Sequence, residues 1–130
     1  MSRVKKLSKE YSVINPKGES KAWAADDFWK MVMQKDHPEN REEMGYLVSQ
    51  FDFDQDWKSW EKHPKGDEIV FCISGSFDFI LDLESGEEVS RVNPGEYVVV
   101  PKDTWHRARV LEPAKALFIT WGHGTEHKDV

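Results

Sequence analysis

The stretch EKHPKGDEIVFCISGSFDFILDL, residues 61–83, decides how this chain reads. In its second half Phe77, Phe79, Leu81 and Leu83 alternate with Ser76, Asp78, Ile80 and Asp82. Alternation with a period of two lays an apolar row on one face of a strand and a mostly polar row on the other. Ser74-Gly75-Ser76 reads as a turn in front of it, and Ile69–Ile73 as the strand before that turn. Downstream, Ser85-Gly86-Glu87 and Asn93-Pro94-Gly95 are further turns. Between and after them fit strands at Glu88–Val92, Tyr97–Val100, Trp105–Leu111 and Ala116–Trp121. Upstream the period of two begins at Gly45, where Tyr46, Val48 and Gln50 alternate with Leu47, Ser49 and Phe51. Short strands with regular turns and no helices between them predict an all-β sandwich or barrel.

Residues 57–63 read two ways. On a helix Trp57, Trp60 and Glu61 share a face; on a strand Trp57, Ser59, Glu61 and His63 do. The strand is preferred, because it runs into a turn at Pro64-Lys65-Gly66 and then another strand, making a hairpin. Residues 1–44 are polar and broken by Asn15-Pro16-Lys17-Gly18 and again near Asp36–Asn40. They read as an N-terminal arm packed on a barrel at 45–130, the whole forming one domain. One short helix is expected near Asp27–Gln34, capped by Asp26 or Asp27, with Phe28, Trp29, Val32 and Met33 at helical spacing. Pro38 and the charged run from Glu39 to Glu43 read as a solvated loop.

The bulk properties narrow the function. At 130 residues the chain suits one domain that hides roughly two-thirds of its unfolded surface. With 18 Lys and Arg against 24 Asp and Glu, the net charge is −6. That balance argues against nucleic acid, which needs a basic stripe. The apolar runs are far shorter than the ~20 residues of a membrane span. No apolar region follows the basic start, so no signal peptide is read. One cysteine, Cys72, excludes an internal disulfide and a multi-cysteine zinc site. A cytoplasmic location is the expectation.

Of five histidines, His37 and His127 read as solvated surface. His63 and His106 lie at strand edges. Glu61 and His63 point the same way, and Glu68 opens the next strand. His106 shares a face with Ala108 and Val110, while Arg107 and Arg109 face solvent. Inward imidazoles and carboxylates are costly unless paired or metal-bound. Glu61, His63, Glu68 and His106 therefore make a candidate mixed N/O metal site, suited to Fe, Mn, Zn or Ni. Spacing alone leaves open a metal-free pocket in which the same groups bond one another. The two carboxylates should repel, so that without a metal one keeps its proton to higher pH. Cys72 reads as a buried hydrophobe. Trp57, Trp105 and Trp121 could wall the pocket mouth, and His123 could swing over it.

EKHPKGDEIVFCISG resembles the first motif of the cupin superfamily, G-x5-H-x-H-x(3,4)-E-x6-G, with His63, Glu68 and Gly75 in register. GEYVVVPKDTWH resembles the second, G-x5-P-x-G-x2-H-x3-N, with Gly95, Pro101 and His106 in register. The similarity covers about Gly45 to Trp121 and is nearest to small single-domain bacterial cupins. Three positions depart: Glu61 stands where the first histidine is usual, Asp103 replaces a glycine and Val110 an asparagine. The resemblance implies a jelly-roll (double-stranded β-helix) barrel. It implies a divalent metal on His63, Glu68 and His106, with Glu61 as fourth ligand or general base. It further implies an oxygenase or isomerase acting on a small organic molecule, or else a non-catalytic small-molecule sensor. A homodimer is expected, since Trp60 faces away from His63 and needs the arm or a second subunit to cover it.

Overall fold

The computed structural model describes residues 2–34, 36–37 and 44–130. In chain order the elements are β1 (Glu10–Ile14), β2 (Ser20–Ala24), α1 (Ala25–Met33), β3 (Tyr46–Phe53), β4 (Ser59–Lys62), β5 (Glu68–Leu83), β6 (Gly86–Val92), β7 (Tyr97–Val100), β8 (Trp105–Thr120) and β9 (Glu126–Asp129). Every strand pair is antiparallel. β5 and β8, 16 residues each, run side by side as the spine. β7 and β6 line the free edge of β5, and β3 and β4 that of β8. The result is a jelly-roll β-barrel with one short helix.

The spine has to bend. Glu68 pairs with Thr120 at one end of the ladder, and Leu81 pairs with His106 at the other. Thirteen residues of strand separate those ends, roughly 40 Å if straight. Yet His106 Nε2 lies 3.3 Å from Glu68 Oε1. The ladder must therefore curl until its ends meet. It does so at irregularities between Cys72 and Phe77, where β5 advances five residues, from Cys72 opposite Ala116 to Phe77 opposite Val110, while β8 retreats six. Such a bulge sharpens bend and twist. Gly75 sits in it at φ +75°, and a Cβ there would come within 2.1 Å of the Pro113 carbonyl oxygen. Ser74-Gly75-Ser76 is thus a bulge inside one long strand and not a turn between two. Likewise Trp105–Leu111 and Ala116–Thr120 belong to the single strand β8, which ends just before Trp121.

The bulge also switches which residues face inward. Glu68, Val70 and Cys72 are buried before it, and Phe77, Phe79 and Leu81 after it. With Val92, Val100, Ala108, Ala114, Ala116 and Phe118 they fill the barrel. Cys72 is buried, as expected.

The N-terminal segment is more ordered than an arm. β1 and β2 form a hairpin, and β1 adds it to the edge of β3. The helix begins at Ala25 and has no side-chain cap. Asp26 and Asp27 instead stand in its first turn, where they favour the dipole. Its buried residues are Phe28 and Met31, which pack with Tyr11 and Val13, whereas Trp29 and Met33 are exposed. The loop reading of Pro38 and Glu39 to Glu43 lies outside the described residues.

β4 does not form a hairpin with β5. It pairs with β8 on one side and β9 on the other. The same pairing covers Trp60 from within the chain, with the Arg107 guanidinium 5.0 Å and the Lys128 ammonium 5.8 Å from its ring. Neither the arm nor a second subunit is needed for that. Trp105 also faces outward, under Lys62 and Lys128. Among the described residues no helix is long and apolar enough to cross a membrane.

Two backbone positions make opposite predictions. Gly75→Ala puts a Cβ against backbone at positive φ and should lower the melting temperature clearly, a cost above ~1 kcal/mol. Asp103 holds φ +61° without being glycine, so Asp103→Gly should melt at or above the parent and Asp103→Val below it. A thermal series in which Gly75→Ala matches the parent would remove the bulge from its structural role.

Candidate metal centre

Four side chains from three strands meet inside the barrel. β4 contributes Glu61, and His63 follows directly after it. Glu68 is the first residue of β5, and His106 the second of β8. One ligand-type atom from each lies within 4.8 Å of all the others. All four residues singled out from the sequence are therefore together. The order along the backbone explains it. Glu61 pairs directly with His106 across β4 and β8. Asp103 N–H donates to the His63 carbonyl at 2.8 Å, tying the two motif loops together. Asp103 keeps the left-handed backbone of the glycine it replaces, a conformation that Asp tolerates better than most residues. Gly66 lets the intervening turn lie against Trp121, where a Cβ would meet that side chain at 2.4 Å.

Imidazoles and carboxylates alternate in the cluster. His63 Nε2 is 3.0 Å from Glu61 Oε1 and 3.2 Å from Glu68 Oε2. His106 Nε2 is 3.5 Å from Glu61 Oε1 and 3.3 Å from Glu68 Oε1. At these distances His63 Nε2, His106 Nε2 and Glu68 Oε1 still lack a well-angled hydrogen bond. Buried polar atoms are rarely left so. With one ligand-type atom of each residue within 4.8 Å of the others, this is an arrangement that a cation would complete.

Each side chain of the cluster is gripped from behind. The Thr104 carbonyl, which can only accept, lies 2.9 Å from His106 Nδ1, so that nitrogen carries the proton. Thr125 Oγ1 donates its one proton to the Gly122 carbonyl at 2.6 Å. It must therefore accept from His63 Nδ1–H at 2.8 Å. In the neutral form both rings then present the Nε2 lone pair to the centre. Thr120 Oγ1 donates to Glu68 Oε2 at 2.6 Å. His127 Nε2 stands 3.0 Å from Glu61 Oε2. His127 is exposed, as expected of a surface residue, yet its ring also touches Glu61. None of Thr104, Thr120, Thr125 and His127 was legible as a partner. His37 packs on Trp23 and is not a member of the cluster.

Phe79 stacks on His106 with centroids 5.6 Å apart, and Trp57 lies 6.3 Å away and stacks on Phe118. Trp57 thus walls the interior. Trp121 packs on Tyr46 and His123 at the end of β8. Arg109 bonds Asp78 at 3.2 Å on the outer face, where Arg91 also reaches it. Glu61, 25% exposed, is the member that meets solvent, since His63, Glu68 and His106 are buried.

The expected like-charge effect does not occur. Burial opposes the charge on Glu61 and on Glu68, but contacts with His106 and His63 outweigh it and hold both carboxyls below their usual range. Each carboxylate faces two imidazoles before it faces the other carboxylate. Burial likewise opposes charging His63 and His106, yet Glu61 and Glu68 push both up to about 9. The angles of these contacts are poor, but charge at 3.0–3.5 Å does not need good angles.

A family model described as the cupin domain matches residues 53–121. A cupin-2 domain containing protein from Shewanella frigidimarina NCIMB 400 superposes with a TM-score of 0.51 at 20% identity, over 58% of this chain and 69% of that one. Hydroquinone 1,2-dioxygenase PnpCD, in complex with Cd2+ and 4-hydroxybenzonitrile, gives 0.51 at 17% identity over 59% and 58%. Bacillus subtilis oxalate decarboxylase, described with Mn(II) centers, gives 0.54 at 15% identity over 65% and 24%. At these identities the likeness is one of fold, and the chain spans less than two-thirds of the last two proteins. No curated protein sequence is significantly similar.

In protein stripped of divalent ions, the histidines, raised from 6.5 to about 9, stabilise the fold fully below pH ~6.5 and lose that contribution as pH rises through 9. The carboxylates, lowered from 4.5, contribute above that pH and lose it in acid. Melting temperature against pH should form a plateau between ~4.5 and ~6.5 and decline towards 9. Glu68→Gln should flatten the alkaline decline. A parent curve flat from 6.5 to 9 would contradict the alternating charges.

Proposed function

Since the chain belongs to the cupin-domain family, we propose that its barrel is a divalent-metal centre serving an oxygenase or isomerase that acts on a small organic substrate. The observation that supports it is the set of buried donor atoms aimed at one point, each ligand braced from behind. His63, Glu68 and His106 would hold the ion, with Glu61 as fourth ligand or as base. Two imidazoles and carboxylates suit Fe, Mn, Zn or Ni. Once bound, the ion would supply a Lewis acid.

The chain's own groups do the rest. Thr104 and Thr125 fix the ring nitrogens, and Thr120 fixes Glu68. Trp57, Phe79 and Phe118 exclude water from the inner side of the cluster. Glu61 is in reach of both the centre and solvent, so its Oε1 can accept a proton from a substrate while Oε2 stays against His127. With two carboxylates around a dication the centre has no formal charge. A neutral substrate is therefore favoured over a dianion.

Metal analysis of protein purified without chelator is the direct test. About one divalent ion per chain is expected; His106→Ala and Glu68→Ala should lose it, and His37→Ala should keep it. If the parent neither purifies with nor takes up a divalent ion, the barrel is a metal-free binding or sensor module.

A homodimer is part of the proposal. On the outer face Val99, Ile69, Ile119 and Val48 form one cross-strand row, and Tyr97, Phe71 and Leu117 the next. None is charged, and Tyr97 and Val99 are largely exposed. A two-fold axis lets one such face cover its own copy. Sedimentation should give twice the 15.2 kDa chain mass, and Tyr97→Glu should return the monomer. A parent that sediments as a monomer at micromolar concentration overturns this. A cytoplasmic location fits the single reduced thiol, Cys72.

A further inference from the structure

We propose that the C-terminal segment 122–129, beyond the matched family region, is a strap that positions two of the four site side chains: Thr125 sets His63, and His127 sets Glu61. Its consequence for metal binding rests on the function proposed above, whereas its grip on the imidazole does not.

The register makes the strap. β9 pairs with β4 through Glu61 opposite His127 and Lys62 opposite Glu126. His127 is thus the direct cross-strand neighbour of Glu61, where side chains of one face meet. Two residues on along each strand, on the same face, stand His63 and Thr125, with Oγ1 2.8 Å from Nδ1. The turn before β9 delivers that hydroxyl: the Gly122 carbonyl takes the Thr125 backbone N–H at 3.2 Å and its hydroxyl proton at 2.6 Å. Only the acceptor side of the oxygen remains for His63. The opposite face of the strap is fastened separately, by Lys128 4.5 Å from the Trp105 ring and 5.8 Å from Trp60.

The strap answers a specific need. Glu61 stands where the family motif has a histidine, and a glutamate has more rotatable bonds than an imidazole. Exposed to a quarter of its surface, it can swing towards solvent. His127 holds its outer oxygen at 3.0 Å and leaves Oε1 at the centre. The two threonine and histidine contacts are therefore positioning contacts, one for a ring and one for a carboxylate.

The test uses the full chain with single substitutions and two readouts. The first is the His63 Nδ1 proton in the 1H–15N spectrum of metal-stripped protein, which exists in either charge state of the ring. It should exchange slowly in the parent and in Thr125→Ser, and be lost in Thr125→Val, which has the shape without the acceptor. The second is Zn2+ affinity by chelator competition. Thr125→Val should weaken it about 10–100-fold, the usual effect of removing a ligand's supporting hydrogen bond, and Thr125→Ser should restore it. His127→Ala should weaken it by about tenfold, with recovery in His127→Gln, which keeps a donor. Asp129→Asn, on the same strand, should change neither. A protected proton and parent affinity in Thr125→Val overturn the proposal. A parent that binds no Zn2+, with the proton lost only in Thr125→Val, overturns the metal reading and supports the strap.

Discussion

The barrel is governed by one long antiparallel ladder whose two ends must touch. Glu68 and His106 each lie at the start of a strand, and β5 and β8 run in opposite directions, so a flat sheet would hold them as far apart as the ladder allows. Their contact at 3.3 Å exists only because the ladder rolls. Fold and site are therefore one constraint. The bulge around Gly75 bends the spine, turns Phe77, Phe79 and Leu81 into the interior and closes the barrel on Glu61, His63, Glu68 and His106. Gly75 lies seven positions along β5 from Glu68, the nearest member of the cluster in sequence, and acts on the cluster through the shape of the sheet.

That roll also marks where the sequence was legible. Period two is visible wherever one face is dry, so the strands from Tyr46 onward were recognisable. Parity breaks at Cys72–Phe77 and the chain then resembles two strands with a turn. Strand pairing is a long-range choice that alternation does not encode: β4 lies near β5 in sequence but chooses β8 and β9. β9 itself, Glu-His-Lys-Asp, has no apolar face and no signal of its own. The β1–β2 hairpin was hidden for a related reason, since Ser20–Ala24 is mostly exposed and reads as polar arm.

The four candidate ligands were visible because each sits at a motif position and shares parity with buried neighbours. Their supporting groups were not. Thr104 acts through its carbonyl, which every residue type offers, and Thr120 and Thr125 are ordinary strand and turn residues until folding brings them to Glu68 and His63. The sign of the carboxylate shifts was misjudged for the same reason. Counting charges along the chain places Glu61 and Glu68 together, whereas in space an imidazole stands between them on either side.

This alternation explains how a barrel interior tolerates such a cluster. With both imidazoles protonated, two positive and two negative groups cancel. Were His63 and His106 to exchange those protons for a divalent ion, two positive charges would leave and two arrive, and the sum would again be zero. A buried site is most costly when its charge is unbalanced, and here neither state leaves it so. A set of three histidines and one glutamate would be balanced in neither state in the same way: it carries excess positive charge with a dication and also when all its rings are protonated. Glu61 in place of a histidine would thus make proton and metal occupancy electrostatically interchangeable. It gives up an imidazole's rigidity in return, and the His127 contact from β9 offsets that loss by holding the carboxylate from its exposed side.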